Sequence, residues 1–237
     1  MEIIVENNFD DIYVKLLKIV NDHPQYLVSP RGINSKETTH LGFTLTNPCN
    51  SVTTIEARKF KQDFAQKFFQ WMMKGETDIS LLYEFNSNAK KYDDNTDLPA
   101  TFSTAYGPRI VRQIVDIIRL FEKDIYTRRA VIHILEEHDK ILYEVVSNTE
   151  YPCTDILHYL IRDNYFHAYT VMRSNNIAKT ICYDVYNFCG LQIHLWEKLL
   201  SVYPQLKIGN YHHYMISAHF FESEQEMVDK VLYEVQS

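Results

Sequence analysis

Apolar residues change their spacing several times along the chain, and each change predicts an element. Over 9–21, FDDIYVKLLKIVN, Ile12, Leu16, Ile19 and Val20 recur at helical intervals. Asp10 and Asp11 complement the dipole at its start, so a first amphipathic helix is predicted. Pro30, Gly32 and Asn34 mark a loop carrying Arg31, and the alternation over Phe43–Leu45 before Asn47-Pro48 predicts a strand and a turn. Residues 54–74 read as a second helix ending before Gly75. The polar stretch 79–105 reads as short helices with a mobile piece around 93–95. Ile110, Val111, Ile114, Ile117, Ile118 and Phe121 mark a third helix over 108–121. Short β-branched and aromatic runs follow at 130–135, 157–161 and 167–172, then a long apolar helix over roughly 184–200, a last strand over 214–221 and an acidic C-terminal helix. Helices and strands interleaved in this way predict an α+β fold, and the chain shows no repeat or boundary that would divide residues 1–237 into more than one domain.

Composition narrows the classes. The 237 residues are 46% hydrophobic and 23% charged, ordinary globular values that exclude disordered, collagen-like and coiled-coil chains. With 24 Lys and Arg against 31 Asp and Glu, the net charge of -7 argues against broad nucleic-acid or anionic-membrane binding, because phosphate attraction needs a cationic field. Any phosphate must therefore meet a local basic cluster. The four cysteines form no CxxC pair, the N-terminus lacks a basic region followed by an apolar one, and no window approaches 18 uninterrupted apolar residues. A soluble, cytoplasmic chain with reduced thiols is expected.

Few residues stand out as chemistry. Cys153 follows Tyr151-Pro152 at the start of a strand, where a thiol can be presented as a nucleophile; a buried structural cysteine fits the same position. Arg128-Arg129 opens one strand and Arg173-Ser174 closes another, residue types suited to phosphate and also to solvated strand ends. His212-His213 would make a metal pair only with a converging carboxylate or third histidine, and no metal signature is present.

Taken in order, Pro152-Cys153-Thr154, LHYLIRDNYFHAYTVMRSNN, Tyr183-Asp184 and Ser217-Ala218-His219-Phe220-Phe221 resemble the thymidylate synthase superfamily, most nearly its deoxycytidylate hydroxymethylase branch. Arg31, Trp71 in WMMKGETDI, Tyr106-Gly107 and the DIYTRRAVI segment extend the resemblance over roughly residues 28–222. It implies a large twisted sheet whose face joins two copies in a homodimer, a pyrimidine nucleoside monophosphate as substrate, and 5,10-methylenetetrahydrofolate as one-carbon donor. By similarity Cys153 adds to C6 of the base and makes C5 nucleophilic. Arg31, Arg173 and Ser174 hold the 5′-phosphate, Arg128 and Arg129 reach in from the second copy, His219 and Phe221 meet the sugar, and Tyr106 lies near the reacting cysteine. Uracil-using members carry Asn at the position of Asp184. A carboxylate there accepts from the cytosine amino group instead, so dCMP or CMP is expected over dUMP. Capping of the following helix is the plainer role for Asp184.

The departures gather in the folate half. Phe68 stands where the family places a glutamate that handles protons, and Thr180 where it has a glycine beside the pterin. Trp71, Tyr92 and Asn176 are what remains for cofactor contact; Asn176 replaces an aspartate, and Tyr92 lies where the family has a tryptophan. Three readings follow: a nucleotide C5-hydroxymethylase, with a methyl product also open; folate-independent Cys153 chemistry on a cytidine nucleotide; or a noncatalytic nucleotide-binding protein on the same fold.

Overall fold

The computed structural model describes residues 2–93, 100–140 and 151–236. These form an α+β structure built on a mixed sheet, and they group into two compact units, Met1–Phe60 with His158–Ser237, and Lys61–Leu157.

The first unit is organised by one long strand. Strand β8 (Lys207–Phe221) pairs antiparallel with β3 (Ser35–Leu45), from Ser35 opposite Phe221 to Leu45 opposite Tyr211. Its other edge runs parallel to β6 (Tyr165–Met172) and then to the two-residue β7 (Asn175–Asn176). Strand β1 (Glu2–Glu6) lies parallel on β3, β2 (Tyr26–Val28) pairs antiparallel with it, and β5 (Thr154–Arg162) lies beyond β6. Asp163 and Asn164, with φ of 51° and 64°, make the two-residue turn that joins β5 to β6, the left-handed geometry a hairpin favours.

Strands β3 and β8 are both longer than predicted, for a readable reason. The first half of β3, SKETTH, buries only Ser35 and Thr38 and so shows no apolar alternation. The start of β8 carries Gly209, which is needed because a Cβ there would meet the Phe166 carbonyl oxygen and His167 Nδ1 at 2.9 Å, beside the register shift between Phe166 and Ala168. Strands β1, β2 and β7 escaped prediction because they are short and lie at edges, with Ile3, Val5 and Leu27 exposed.

Helix α1 (Phe9–Asp22) fulfils its prediction. Asn8 Oδ1 caps it by accepting from the Asp11 amide at 2.9 Å, and its stripe of Phe9, Ile12, Tyr13, Leu16, Leu17 and Val20 is buried. Before the second helix, the predicted run from 54 opens instead as a 3-10 turn, Glu56–Arg58, stopped by left-handed Lys59 (φ 50°). Arg58 is drawn inward to donate to the Lys179 carbonyl, which takes this turn out of helical register.

The second unit holds α2 (Gln62–Met73), 3-10 turns at Ile79–Leu82 and Ser87–Tyr92, α3 (Tyr106–Lys123), β4 (Val131–His133) and the first residues of β5. Of the stretch expected to be mobile, residues 94 and 95 lie outside the described residues. Helix α3 buries Ile110, Ile114, Ile117 and Phe121. Its Arg109 makes a bidentate ion pair with Asp139 at 2.6 and 2.7 Å, both side chains enclosed, and also donates to the Ile134 carbonyl. The long apolar helix predicted near 184–200 is α4 (Ile181–Leu199), and the acidic C-terminal helix is α5 (Gln225–Glu234), both in the first unit. Among the described residues no helix is long and apolar enough to cross a membrane.

Gly107 lets α3 approach α2: a Cβ there would lie 2.6 Å from the Met72 carbonyl oxygen and 3.1 Å from its Cα. Both contacts are backbone and cannot rotate away. Gly107→Ala is expected to lower stability by about 1–3 kcal/mol, read as a lower urea midpoint at unchanged slope.

Candidate functional site

Three groups of predicted site residues fall in the first unit, and β8 gathers them. The parallel ladder to β8 is interrupted between Met172, opposite Met215, and Asn175, opposite Ala218. Arg173 and Ser174 occupy that break, half-buried, with the Ser217 amide donating to the Arg173 carbonyl at 3.2 Å. His219 sits on β8 between Glu37 of β3 and Asn176 of β7. Two residues on, Phe221 shares its face of the strand, with ring centroids 5.3 Å apart. Burial, the largest effect on His219, lowers its pKa against the pull of Glu37 and Glu224, which favours a neutral imidazole able to donate and to accept.

Arg31 stands exposed on a 3-10 turn (Pro30–Gly32) in a left-handed conformation, φ 54°. A non-glycine residue held there is strained, and the loop is held by two bonds at Asn34. Asn34 Nδ2 donates to Glu222 Oε2 at 3.0 Å, and the Glu222 amide donates to the Asn34 carbonyl at 2.9 Å. The loop of Arg31 is thereby fastened to the end of the strand that carries His219 and Phe221.

Asp184 lies in the first turn of α4. Asn175 Nδ2 donates to its Oδ2 at 2.8 Å and the Thr180 side chain supplies a second hydrogen bond. These partners are the side chains of Asn175 and Thr180 and not the free backbone amides of the helix, as a capping carboxylate would have. Asp184 is half-buried as a residue, yet desolvation of its carboxyl outweighs both hydrogen bonds and pushes its pKa up to about 7. Behind Asn175 the contacts continue inward: Asn175 Oδ1 meets His213 Nε2 at 3.1 Å, His213 Nδ1 meets the Tyr211 hydroxyl at 2.7 Å, and that hydroxyl meets Thr170 Oγ1 at 3.0 Å. None of Asn175, His213, Tyr211 or Thr170 was singled out for this by sequence. The only signal was the alternation of β8, which places residues 211 and 213 on one buried face.

Cys153 and Tyr106 fall in the second unit and meet. The Tyr106 hydroxyl, at the start of α3, accepts from the backbone amides of Cys153 at 3.1 Å and Thr154 at 3.2 Å, fixing the backbone that presents the thiol. Cys153 is half-buried and its Sγ lies 4.0 Å from the Tyr151 carbonyl oxygen. Arg128 and Arg129 are exposed on the segment that leads into β4. All four cysteines are free thiols, as expected; Cys182 and Cys189 are buried and desolvation raises both.

The residues left for folate are engaged elsewhere. Trp71 is buried, donates its indole N–H to the Asp78 carbonyl at 2.9 Å, and stacks on Phe68 and Phe102. Tyr92 also packs on Phe102, with ring centroids 5.2 Å apart. Phe68, in place of the family's glutamate, thus extends an aromatic stack. Asn176 Oδ1 accepts from the Ala178 and Lys179 amides, and Nδ2 donates to Glu224 at 2.8 Å. These side chains as placed do not fit a pterin. His212 and His213 point to opposite faces of β8 and cannot converge on one ion. Among the described residues no cluster of three or more His, Cys, Asp or Glu is arranged for a metal.

No family model matches the chain. It is similar to two phage proteins, each named deoxyuridylate hydroxymethyltransferase: one from Bacillus phage SP01, 21% identical over 227 residues, covering 89% of this chain and 56% of the relative, and one from Delftia phage PhiW-14, 29% identical over 203 residues, covering 80% and 54%. The chain therefore spans about half the length of the curated relatives it matches. These distant relatives support the thymidylate synthase-like superfamily for this chain without selecting its deoxycytidylate branch.

Burial holds the pKa of His212 near 4 and that of His213 near 3, below the ordinary value near 6.5, so between these limits the unfolded chain binds more protons and stability falls as pH drops. Asp184 has the opposite sign: raised to about 7, it binds more protons folded than unfolded between about pH 4 and 7. The urea midpoint is expected to fall from pH 6.5 to 4.5, and to fall more steeply in Asp184→Asn, which removes the opposing group.

Proposed function

We propose that this chain acts as one domain, paired with a second copy, that activates C5 of a pyrimidine nucleoside monophosphate for one-carbon transfer. The observation that carries the reading is the register of β7 on β8, which puts Arg173-Ser174, Asp184 behind Asn175, and His219 at one end of one sheet. A guanidinium and a hydroxyl suit the 5′-phosphate, with Arg31 reaching from its tied loop and Arg128 and Arg129 serving the neighbouring copy. A neutral His219 suits a sugar hydroxyl, with Phe221 against the ring. Asp184 suits the C4 edge of the base.

Chemically, the Cys153 thiolate adds to C6, and the electron pair of the 5,6 double bond moves to C5, which then attacks a one-carbon electrophile. Loss of the C5 proton and expulsion of the thiolate restore the double bond. Tyr106 positions the thiol through the backbone. Because Trp71, Asn176 and Phe68 do not fit a folate as placed, no step is drawn through one, and the electrophile is defined only as a one-carbon unit at the aldehyde level.

The ionised form of Asp184 favours a cytosine nucleotide, dCMP or CMP. A second reading, dUMP, is favoured by the names of the two phage relatives.

Tritium at C5 tests the reading directly. The protein is expected to release it to water from dCMP, CMP or dUMP, with or without added methylenetetrahydrofolate, and Cys153→Ala to release none. Measurable binding without release from any nucleotide would favour a noncatalytic nucleotide-binding protein. In a separate binding titration, Arg173→Ala is expected to weaken nucleoside monophosphate affinity by about 10- to 150-fold, the value of a charge-assisted phosphate contact, while leaving the corresponding nucleoside unaffected.

A further inference from the structure

The two faces of the sheet in the first unit differ in what lies on them. Helix α1 lies on the face of Phe43, whose ring meets Phe9 at 6.3 Å and Tyr211 at 6.2 Å, and α4 brings Cys189 near Tyr211. On the opposite face the registers set Val5, Thr44, His212 and Tyr169 in one row across β1, β3, β8 and β6. The next row runs from Ile3 through Gly42 and Tyr214 to Val171. Neither row contains Asp, Glu, Lys or Arg, in a chain that is 23% charged. The face is open: Ile3, Val5, Tyr165 and Ile216 on it are between 40% and 57% exposed. Charge returns at its end, where Lys207 lies over the Tyr165 ring and Arg162 closes β5. An open apolar stretch with charge at the rim is the form of an interaction surface.

Two imidazoles stand on the inner strands of this face. His167 lies where the β6–β8 register shifts, and its Nδ1 accepts from the Asn210 amide at 3.1 Å. A backbone N–H can donate and never accept, so this bond requires a bare Nδ1, and a proton there would set two donors against each other. The His212 ring lies 6.0 Å from that of His167, stacks on Tyr169 at 4.4 Å, and has its Nδ1 2.9 Å from Thr44 Oγ1. We propose that this face pairs with the same face of a second copy at neutral pH, and that His167 and His212 release the pair when acid protonates them. Charge identifies the partner. At a net charge of -7 most of the surface repels a like chain, whereas these uncharged rows meet their own counterparts about a twofold axis without repulsion. A strongly charged partner would find nothing in them to pair with.

Protonation reverses that balance, because the twofold axis sets every new charge near its own copy. The groups around the two rings compensate little. Strand β5 brings Arg162 and, beside Tyr169 at 6.3 Å, His158; β6 brings Tyr165 and Tyr169. From β8 comes Tyr214, whose hydroxyl lies 2.6 Å from His40 Nδ1, while β3 and β1 present Thr44 and Val5. The acid near His167 is Asp163 of the β5–β6 turn, and Arg162 opposes it. Desolvation, the largest effect on both rings, lowers the pKa of His167 and brings that of His212 to about 4, and pairing buries them further. The pair thus binds fewer protons than two separate copies, so its stability is present at neutral pH and is lost as pH falls. The consequence rests on the proposed function: parted copies lose Arg128 and Arg129 from each other's phosphate.

Sedimentation velocity at intervals from about pH 7.5 to 4.5, with circular dichroism at each step, tests the proposal. A pair is expected at neutral pH. Its dissociation constant should rise about a hundredfold per pH unit through the transition if each copy takes up one proton, with the helical signal unchanged. Ile216→Lys, at an exposed position, should part the copies at neutral pH. His167→Asn combined with His212→Asn keeps an uncharged acceptor near each Nδ1, and this variant should stay paired where the wild type separates. A single chain at neutral pH, or a pair indifferent to Ile216→Lys, would overturn the face. The histidine release would be overturned by pH-independent pairing in the wild type, by separation of the double variant at the wild-type pH, or by separation that coincides with loss of the helical signal. A single chain that still releases tritium from C5 would overturn this inference and leave the proposed chemistry standing. A pair that parts in acid yet binds no nucleoside monophosphate would uphold the inference and overturn the proposed function.

Discussion

The pairing of β8 on both edges is the constraint on which the first unit depends. β3 pairs with it between Tyr211 and Phe221 on one side, and β6 and then β7 between Lys207 and His219 on the other, so neither its register nor its facing can slip without moving the side chains it carries. Opposite left-handed His40 of β3, its buried face changes from Tyr211, His213 and Met215 to Ala218 and Phe220. The change turns His219 and Phe221 away from the core while Tyr211 and His213 stay within it. One strand thus supplies both the proposed sugar contacts and the buried support for the proposed base contact.

In the second unit a different device holds Cys153, the proposed nucleophile. The Tyr106 hydroxyl satisfies two successive backbone amides at Cys153 and Thr154, and Gly107, next to Tyr106, is what lets α3 lie against α2. The enclosed Arg109–Asp139 pair lies two residues further along α3. Such a pair contributes little net stability over an apolar replacement but is costly to break singly, and its bidentate geometry admits one arrangement of the helix and the segment after β4. The aromatic stack of Phe68, Trp71, Phe102 and Tyr92 shows what occupies the region where the resemblance leads one to expect a proton-handling carboxylate and a cofactor surface. An apolar stack there cannot exchange protons, which is why the one-carbon donor is the least constrained part of the proposed chemistry.

Much of this was legible in the sequence, for local reasons. Helices α1, α3 and α4 announce themselves because their apolar stripes are long and regular, and β4, β5 and β6 because β-branched and aromatic residues fill them. Cys153, Arg173-Ser174, Asp184 and His219 could be named from their order along the chain. The short edge strands could not be found, nor the polar half of β3, because their pairing is settled by neighbours distant in sequence. The His212-His213 dyad was visible but ambiguous: only strand geometry separates one ring, stacked on Tyr169, from the other, buried against Asn175.

By itself, then, the sequence determined which side chains are available: a thiol at the start of a strand, arginines at strand ends, and a carboxylate at the start of a long helix, on a chain that folds as helices and strands in a known order. The tertiary structure decided what those side chains can do. The raised carboxyl of Asp184, the hydrogen bonds behind it and the engagement of Asn176 and Trp71 by other side chains and backbone all arise from burial and from tertiary partners. The physical reason is that hydration and long-range hydrogen bonding set the protonation and orientation of a polar group, and neither is a property of the residue or of its neighbours in sequence.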